Sequence, residues 1–190
     1  IRSGLNDCCI DTSNVVTVGI NPLPTAAITT LNDTTICSGS SVELKIHLTG
    51  APNWKVIYNE TTGTSTQVTV TDISDTDPLI LRVPAPTAGS VTFNYSLFSV
   101  EDGNGCLATS KTGSRNALVY RFPVPNAGPD NDVCGFGYRL AAVPSDGSGL
   151  WTFPAEVLSA TPALPDTRIR IDSSFTEKSK TLKFYWEETN

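Results

Sequence analysis

Apolar and polar residues alternate along most of this chain. Val42, Leu44, Ile46 and Leu48 alternate with Glu43, Lys45, His47 and Thr49, the period of a strand with one face buried. Val91, Phe93, Tyr95 and Leu97 repeat the pattern. Its phase slips at Phe98 and Val100, which predicts a β-bulge before the Asp102-Gly103-Asn104-Gly105 turn and Cys106. Further strands are expected at Ala26–Leu31 continued by Thr34–Cys37, and at Trp54–Tyr58, Gln67–Val70, Leu79–Val83 and Leu118–Phe122. Trp54 is placed as the plug between two sheets. No long run has helical period, and parallel sheets need crossover connections that are usually helical, so antiparallel pairing is expected.

Pro-x-Pro segments divide the chain. Asn21-Pro22-Leu23-Pro24 and Pro123-Val124-Pro125 are stiff connectors that cannot sit centrally in a ladder. Residues 24–124 have the size of one immunoglobulin-like sandwich. Residues 125–190 form a second unit, with strands at Leu140–Val143, Leu150–Phe153, Glu156–Leu158, Arg168–Ile171 and Leu182–Trp186, short of its last strand. Residues 1–20 are expected to be the end of a preceding domain, with a strand at Asn14–Ile20. Thr181–Asn190 echoes the strand half of Val91–Cys106, and Ile1–Cys9 echoes its turn-and-cysteine half. The chain therefore reads as a window on a longer tandem array. The fold class is all-β: tandem immunoglobulin-like antiparallel β-sandwich domains.

Composition narrows function. The 190 residues carry 13 basic and 19 acidic side chains, for a net charge of −6, which disfavours nucleic acid because no basic patch meets the phosphates. No apolar run is long enough to span a bilayer. The single histidine, His47, lies on the outward phase of its strand, away from any Ser or Cys nucleophile. No nucleophile elbow, phosphate loop, dinucleotide fingerprint or zinc-protease motif occurs, and an enzyme is not expected.

The five cysteines include no Cys-x-x-Cys, so a disulfide framework in an oxidising compartment is favoured over zinc. Cys37 and Cys106 stand where a sandwich can be pinned. A bridge closing a loop of roughly 70 residues stabilises by about 2–4 kcal/mol. Cys134 holds the corresponding position in the second unit, and Cys8, Cys9 and Cys134 are expected to be half-bridges to residues outside the chain. A vicinal Cys8–Cys9 bridge and a pairing of Cys134 with either are the alternatives. Asp72, Asp75 and Asp77 form an acidic loop that is a candidate calcium site, against the competing reading of Asp as a turn residue. Glu101–Asp102 and Asp130/Asp132 are two further acidic groups. No other cofactor is expected. Trp54, Trp151 and Trp186 are expected in cores; exposed instead, they would suit sugar stacking.

The ordered segments PTAAI…TICSGSSVELKIHLTGAPNWKVIY…VTV…FSVEDGNGC resemble the immunoglobulin-like and PKD-like repeats of very large cell-surface proteins in Bacteroidota. NAGPDNDVCGFGYRLAAVPSDGSGLWTF is similar to the sister repeat type of the same proteins. Such repeats occur in gliding-motility adhesins and other cargo of the type IX secretion system. The resemblance implies a secreted, non-enzymatic spacer or adhesin segment at the cell surface. It implies neighbouring repeats, the secretion machinery and surface polysaccharide as partners, with no membrane insertion. It also implies the Cys37–Cys106 pairing. Asp33-Thr34-Thr35 fits the O-glycosylation pattern of these bacteria, which makes Thr34 a candidate.

Overall fold

The computed structural model describes residues 13–30, 32–87, 89–172 and 179–190. The first unit is built from β1 (Thr25–Ile28), β2 (Thr34–Cys37), β3 (Val42–Leu48), β4 (Trp54–Thr62), β5 (Thr64–Ile73), β6 (Leu79–Arg82), β7 (Ser90–Glu101), β8 (Ser110–Thr112) and β9 (Ser114–Tyr120). Two sheets form, in the orders β6-β3-β1-β8 and β2-β9-β7-β4-β5. This is the strand arrangement of an immunoglobulin-like sandwich, and the chain is all-β. The alternation in β3 does what the pattern demands: Val42, Leu44, Ile46 and Leu48 are buried while Glu43, Lys45 and His47 face water. They meet Trp54, Val56 and Tyr58 of β4 and Phe93, Tyr95 and Val100 of β7 in one core. Arg82 of β6 reaches across to Glu60 of β4 with bonds of 2.7 and 3.2 Å, tying the two sheets at the rim of that core.

The bulge expected from the phase slip is present. Ile57 pairs with Ser99 and Tyr58 with Leu97, so Phe98 is skipped and turned outward. Other expectations need correction. Thr34–Cys37 does not continue the first strand in its sheet: β1 pairs with β3, and β2 crosses to the other sheet. Two pairings are parallel, β1 with β8 and β2 with β9. No helix is needed, because most of the unit lies between the paired strands and acts as the crossover. The connection between β4 and β5 is tight: strand extends to Thr62, and Gly63 alone, at φ 91°, reverses the chain. Asn14–Ile20 is not a strand here, and its side chains lie exposed. A strand exists only where another strand completes its ladder.

The second unit contains β10 (Gly137–Arg139), β11 (Ser148–Thr152), β12 (Val157–Ser159), β13 (Arg168–Ile171) and β14 (Tyr185–Thr189). Its sheets are β10-β13-β12 and β11-β14. Leu140, Trp151, Val157, Ile169 and Trp186 make its core, with the two indole rings 5.3 Å apart. The expected strand at Leu140–Val143 is displaced to β10; Leu140 and Ala142 instead donate to the carbonyls of Thr167 and Pro165.

Candidate functional site

The most elaborate polar arrangement lies where the two units meet. Phe122–Pro125 connects them, and the Val124 amide donates to Ser145 Oγ at 2.7 Å. Asp146 Oδ1 accepts from the Gly89 amide at 2.9 Å, and its Oδ2 lies 3.6 Å from the Arg121 guanidinium. Asn190 Nδ2 donates to the carbonyls of Gly89 and Arg121, each at 2.9 Å. The Asp146 carboxylate is largely buried, 11% exposed, while Arg121 is 43% exposed. Part of the charge is therefore hidden at the contact and part faces water.

The loop that reaches across is itself fixed from behind. Glu188 of β14 accepts from the Ser145 amide and hydroxyl and from the Asp146 amide. Trp186 Nε1 also donates to Glu188, at 2.7 Å. The Ser145 hydrogen bond, reinforced by Trp186, holds the Glu188 carboxyl below its ordinary range against the opposing effect of burial. Gly147, at φ 79°, lets the loop turn so close to β14 that a Cβ there would stand 2.0 Å from the Thr189 carbonyl. A chain of contacts thus runs from the Trp186 core through Glu188 and Asp146 to the first unit. Beside it opens a cleft of about 370 Å³ lined by Cys37, Phe122, Pro123, Pro125 and Asn190.

A second keystone sits at the opposite pole of the first unit. Asp102 is 4% exposed. It accepts the amides of Ala51, Asn104 and Cys106 at 3.1, 3.0 and 2.9 Å. These bonds, that from Ala51 foremost, hold its carboxyl below the usual range. Replacing Asp102 by Ala strands those donors, and Tm is expected to fall by on the order of 10 °C in a thermal melt. The pH dependence follows from the lowered folded-state values of Asp102 and Glu188. Unfolded carboxyls take up protons near pH 4, while these folded ones resist until lower pH. Stability is then full above about pH 4 and falls as pH drops below it. Melts between pH 7 and 3 should show this decline, shallower in Asp102→Ala; an unchanged profile would count against both assignments.

The sequence candidates do not converge. The expected Cys37–Cys106 bridge is not formed, and both thiols are free. Cys37 ends β2 beside Tyr120, which pairs with Ser90 at the start of β7, whereas Cys106 follows the far end of β7. That strand is 12 residues long and spans on the order of 36 Å, while a disulfide needs Cα atoms within about 7 Å. Cys134 is free and exposed; Cys8 and Cys9 lie outside the described residues. The three loop aspartates are engaged locally. Asp72 accepts from Thr71 Oγ1, Asp75 caps the Asp77 amide, and Asp77 lies 2.9 Å from His47 Nδ1. Among the described residues no three Asp, Glu, His or Cys side chains gather as metal ligands. Thr34 is half-buried in β2, with the neighbouring Asp33 accepting from Asn116. All three tryptophans are buried. Arg121, Asp146, Glu188 and Asn190 are not singled out as a joint by the sequence, nor Asp102 as an acceptor of three amides; the Asp-Gly pairs Asp102-Gly103 and Asp146-Gly147 mark only the turns.

No family model matches the chain, and no curated protein does. Among solved structures, the apo-form Calx CBD1 domain is similar at 12% identity over 53% of this chain and 99% of its own, with a TM-score of 0.37. CBD12 from CALX1.2 is similar at 11% identity over 87% of this chain and 70% of its own, with a TM-score of 0.36. Likeness this distant carries nothing about activity or partners, and the fold assignment rests on the strand order itself: an all-β chain with an immunoglobulin-like sandwich.

Proposed function

We propose that this chain is a non-enzymatic spacer or adhesin segment of a large bacterial surface protein. On this proposal it belongs with the Bacteroidota gliding-motility adhesins, is exported by type IX secretion, and holds a distal binding region away from the cell. The observation that carries the reading is the joint. A Pro-x-Pro connector together with the Asp146, Arg121, Gly89 and Asn190 contacts gives two sandwiches a defined relative direction. A spacer needs such stiffness; an isolated binding domain does not. Burial of Trp54, Trp151 and Trp186 favours the spacer over a polysaccharide-binding face, which needs a row of exposed rings.

The function is tested by replacement within the parent surface protein. Exchanging residues 25–190 for an unrelated sandwich pair of equal length should preserve surface attachment. Loss of attachment would mean that this chain itself makes the binding contact. The joint is tested separately. In Asp146→Ala the amide of Gly89 loses its acceptor and the Arg121 guanidinium its counter-charge, and the units should reorient more independently. Amide ¹⁵N relaxation should then give the smaller unit a shorter rotational correlation time than in the unaltered chain, with both units still folded. Unchanged relaxation would remove Asp146 from the account.

A further inference from the structure

The net charge of −6 conceals one basic face. Tyr138 of β10 pairs with Ile169 of β13, and both pack toward the core of the second unit. Side chains alternate along a strand, so Gly137, Arg139, Arg168 and Arg170 share the opposite, outer face. All four are exposed. Arg139 stands directly opposite Arg168, while Arg170 has Gly137 on one side and Leu158 of β12 on the other. Three guanidinium groups are thus gathered on one small sheet of an acidic chain.

This gathering does not serve the ladder. Like charges directly opposite one another weaken a strand pair, so Arg139 against Arg168 is a cost to the sheet. Arg139 is tied to Asp166, its Nε donating to the Asp166 carbonyl at 3.0 Å and its Nη2 to the carboxylate. Among the described residues neither Arg168 nor Arg170 forms an ion pair. One carboxylate against three guanidinium groups leaves an excess of positive charge. The face is also open. A Cβ on Gly137 would meet only the Ile169 carbonyl, at 3.8 Å. Beside it runs a groove of about 420 Å³ lined by Gly137, Tyr138, Arg139, Arg168 and Ile169.

Charge and shape select the partner. A guanidinium fork takes a carboxylate through two parallel hydrogen bonds. Arg168 and Arg170 lie about 7 Å apart along β13, and Arg139 lies about 5 Å across from Arg168. Successive carboxylates of one polymer can therefore be met together. Nucleic acid fits poorly, because a typical binder neutralises about 6–10 phosphates and this face offers three cations. A folded protein needs an apolar centre to its interface, and here only Leu158 stands at the rim.

We propose that the outer face of the β10-β13-β12 sheet binds an acidic polysaccharide, a chain of uronate sugars whose carboxylates meet Arg168, Arg170 and Arg139. Arg168 and Arg170 carry the unpaired charge, and Arg139, held by Asp166, borders the groove. Recognition is ionic, so it needs no row of exposed rings, and burial of the three tryptophans is no obstacle. The contact is weak and salt-dependent, as exposed ion pairs are. It does not depend on the spacer reading, and a lateral contact of this kind is compatible with attachment at a distal site.

Titration of the ¹⁵N-labelled chain with oligogalacturonate at low ionic strength tests it. Amide shifts are expected at Gly137–Arg139 and Arg168–Ile171, with the amides of β1–β9 unmoved. Added salt should reverse the shifts. A neutral maltooligosaccharide of the same length should cause none. The double variant Arg168→Gln/Arg170→Gln should lose them. Its melting temperature should be unchanged or higher, because the like-charge pair is relieved, so lost binding is not lost folding. An unaltered chain that shows no shifts overturns the proposal. So do shifts that survive in the double variant or that the neutral sugar reproduces. Oligoglutamate bound as tightly as oligogalacturonate also overturns it, making the face a dock for an acidic protein.

Discussion

Replacing Trp54 by Ala is expected to destabilise the first unit by about 3–5 kcal/mol, the usual range for removing a buried large aromatic. Trp54 is fully buried between the two sheets, and its Nε1 donates to the Thr49 carbonyl at 3.1 Å. The substitution therefore opens a cavity and frees a carbonyl acceptor at the same place. A domain of this size is stable by only about 5–15 kcal/mol, so the loss is a large share of the total. Trp54→Phe keeps most of the ring and loses the donor, and about 1–2 kcal/mol is expected. Denaturant unfolding followed by far-ultraviolet circular dichroism checks both. Equal effects from Ala and Phe would mean the hydrogen bond, not the ring, is what matters.

Gly149→Ala is expected to be the most damaging small change in the second unit, at about 2–3 kcal/mol. A Cβ at this position would lie 1.8 Å from Trp186 Cζ2 and 2.4 Å from two further ring atoms. The obstacle is a core indole, not the free end of a flexible chain, so the ring must leave its place. Trp186 also donates to Glu188, which fixes the Ser145–Asp146 loop. The same substitution should therefore loosen the joint. Unfolding followed by the fluorescence of Trp151 and Trp186 should show the second unit melting earlier. In the same sample, hydrogen exchange at β3 should stay slow. Unaltered melting of the second unit would show that the indole can move aside at little cost.

Much of the fold was legible because local pattern and tertiary burial agree. The alternation at Val42–Leu48 marked an inward face correctly, and the slip at Phe98 marked the bulge, since an outward turn leaves its trace in the sequence of apolar residues. Trp54 as the inter-sheet plug followed from its apolar neighbours. Pairing was harder. Nothing local to Thr34–Cys37 says that it crosses to the other sheet and runs parallel to β9. That error placed Cys37 near Cys106 when a full strand length separates them. Asn14–Ile20 has the composition of a strand, but composition does not supply the neighbouring strand. The joint was the least legible feature. The Asp146-Gly147 turn is visible, yet its role depends on the Gly89 amide and the Arg121 charge, which are remote in sequence and brought close only by the docking of two units.

The central claim is that the two units hold one relative orientation. Residual dipolar couplings of backbone amides in a weakly aligned sample test it most directly. Couplings from β1–β9 and from β10–β14 should fit a single alignment tensor of common magnitude and direction. Two tensors of different magnitude, each fitting its own unit, would contradict the account and leave a flexible pair of sandwiches in place of a stiff spacer.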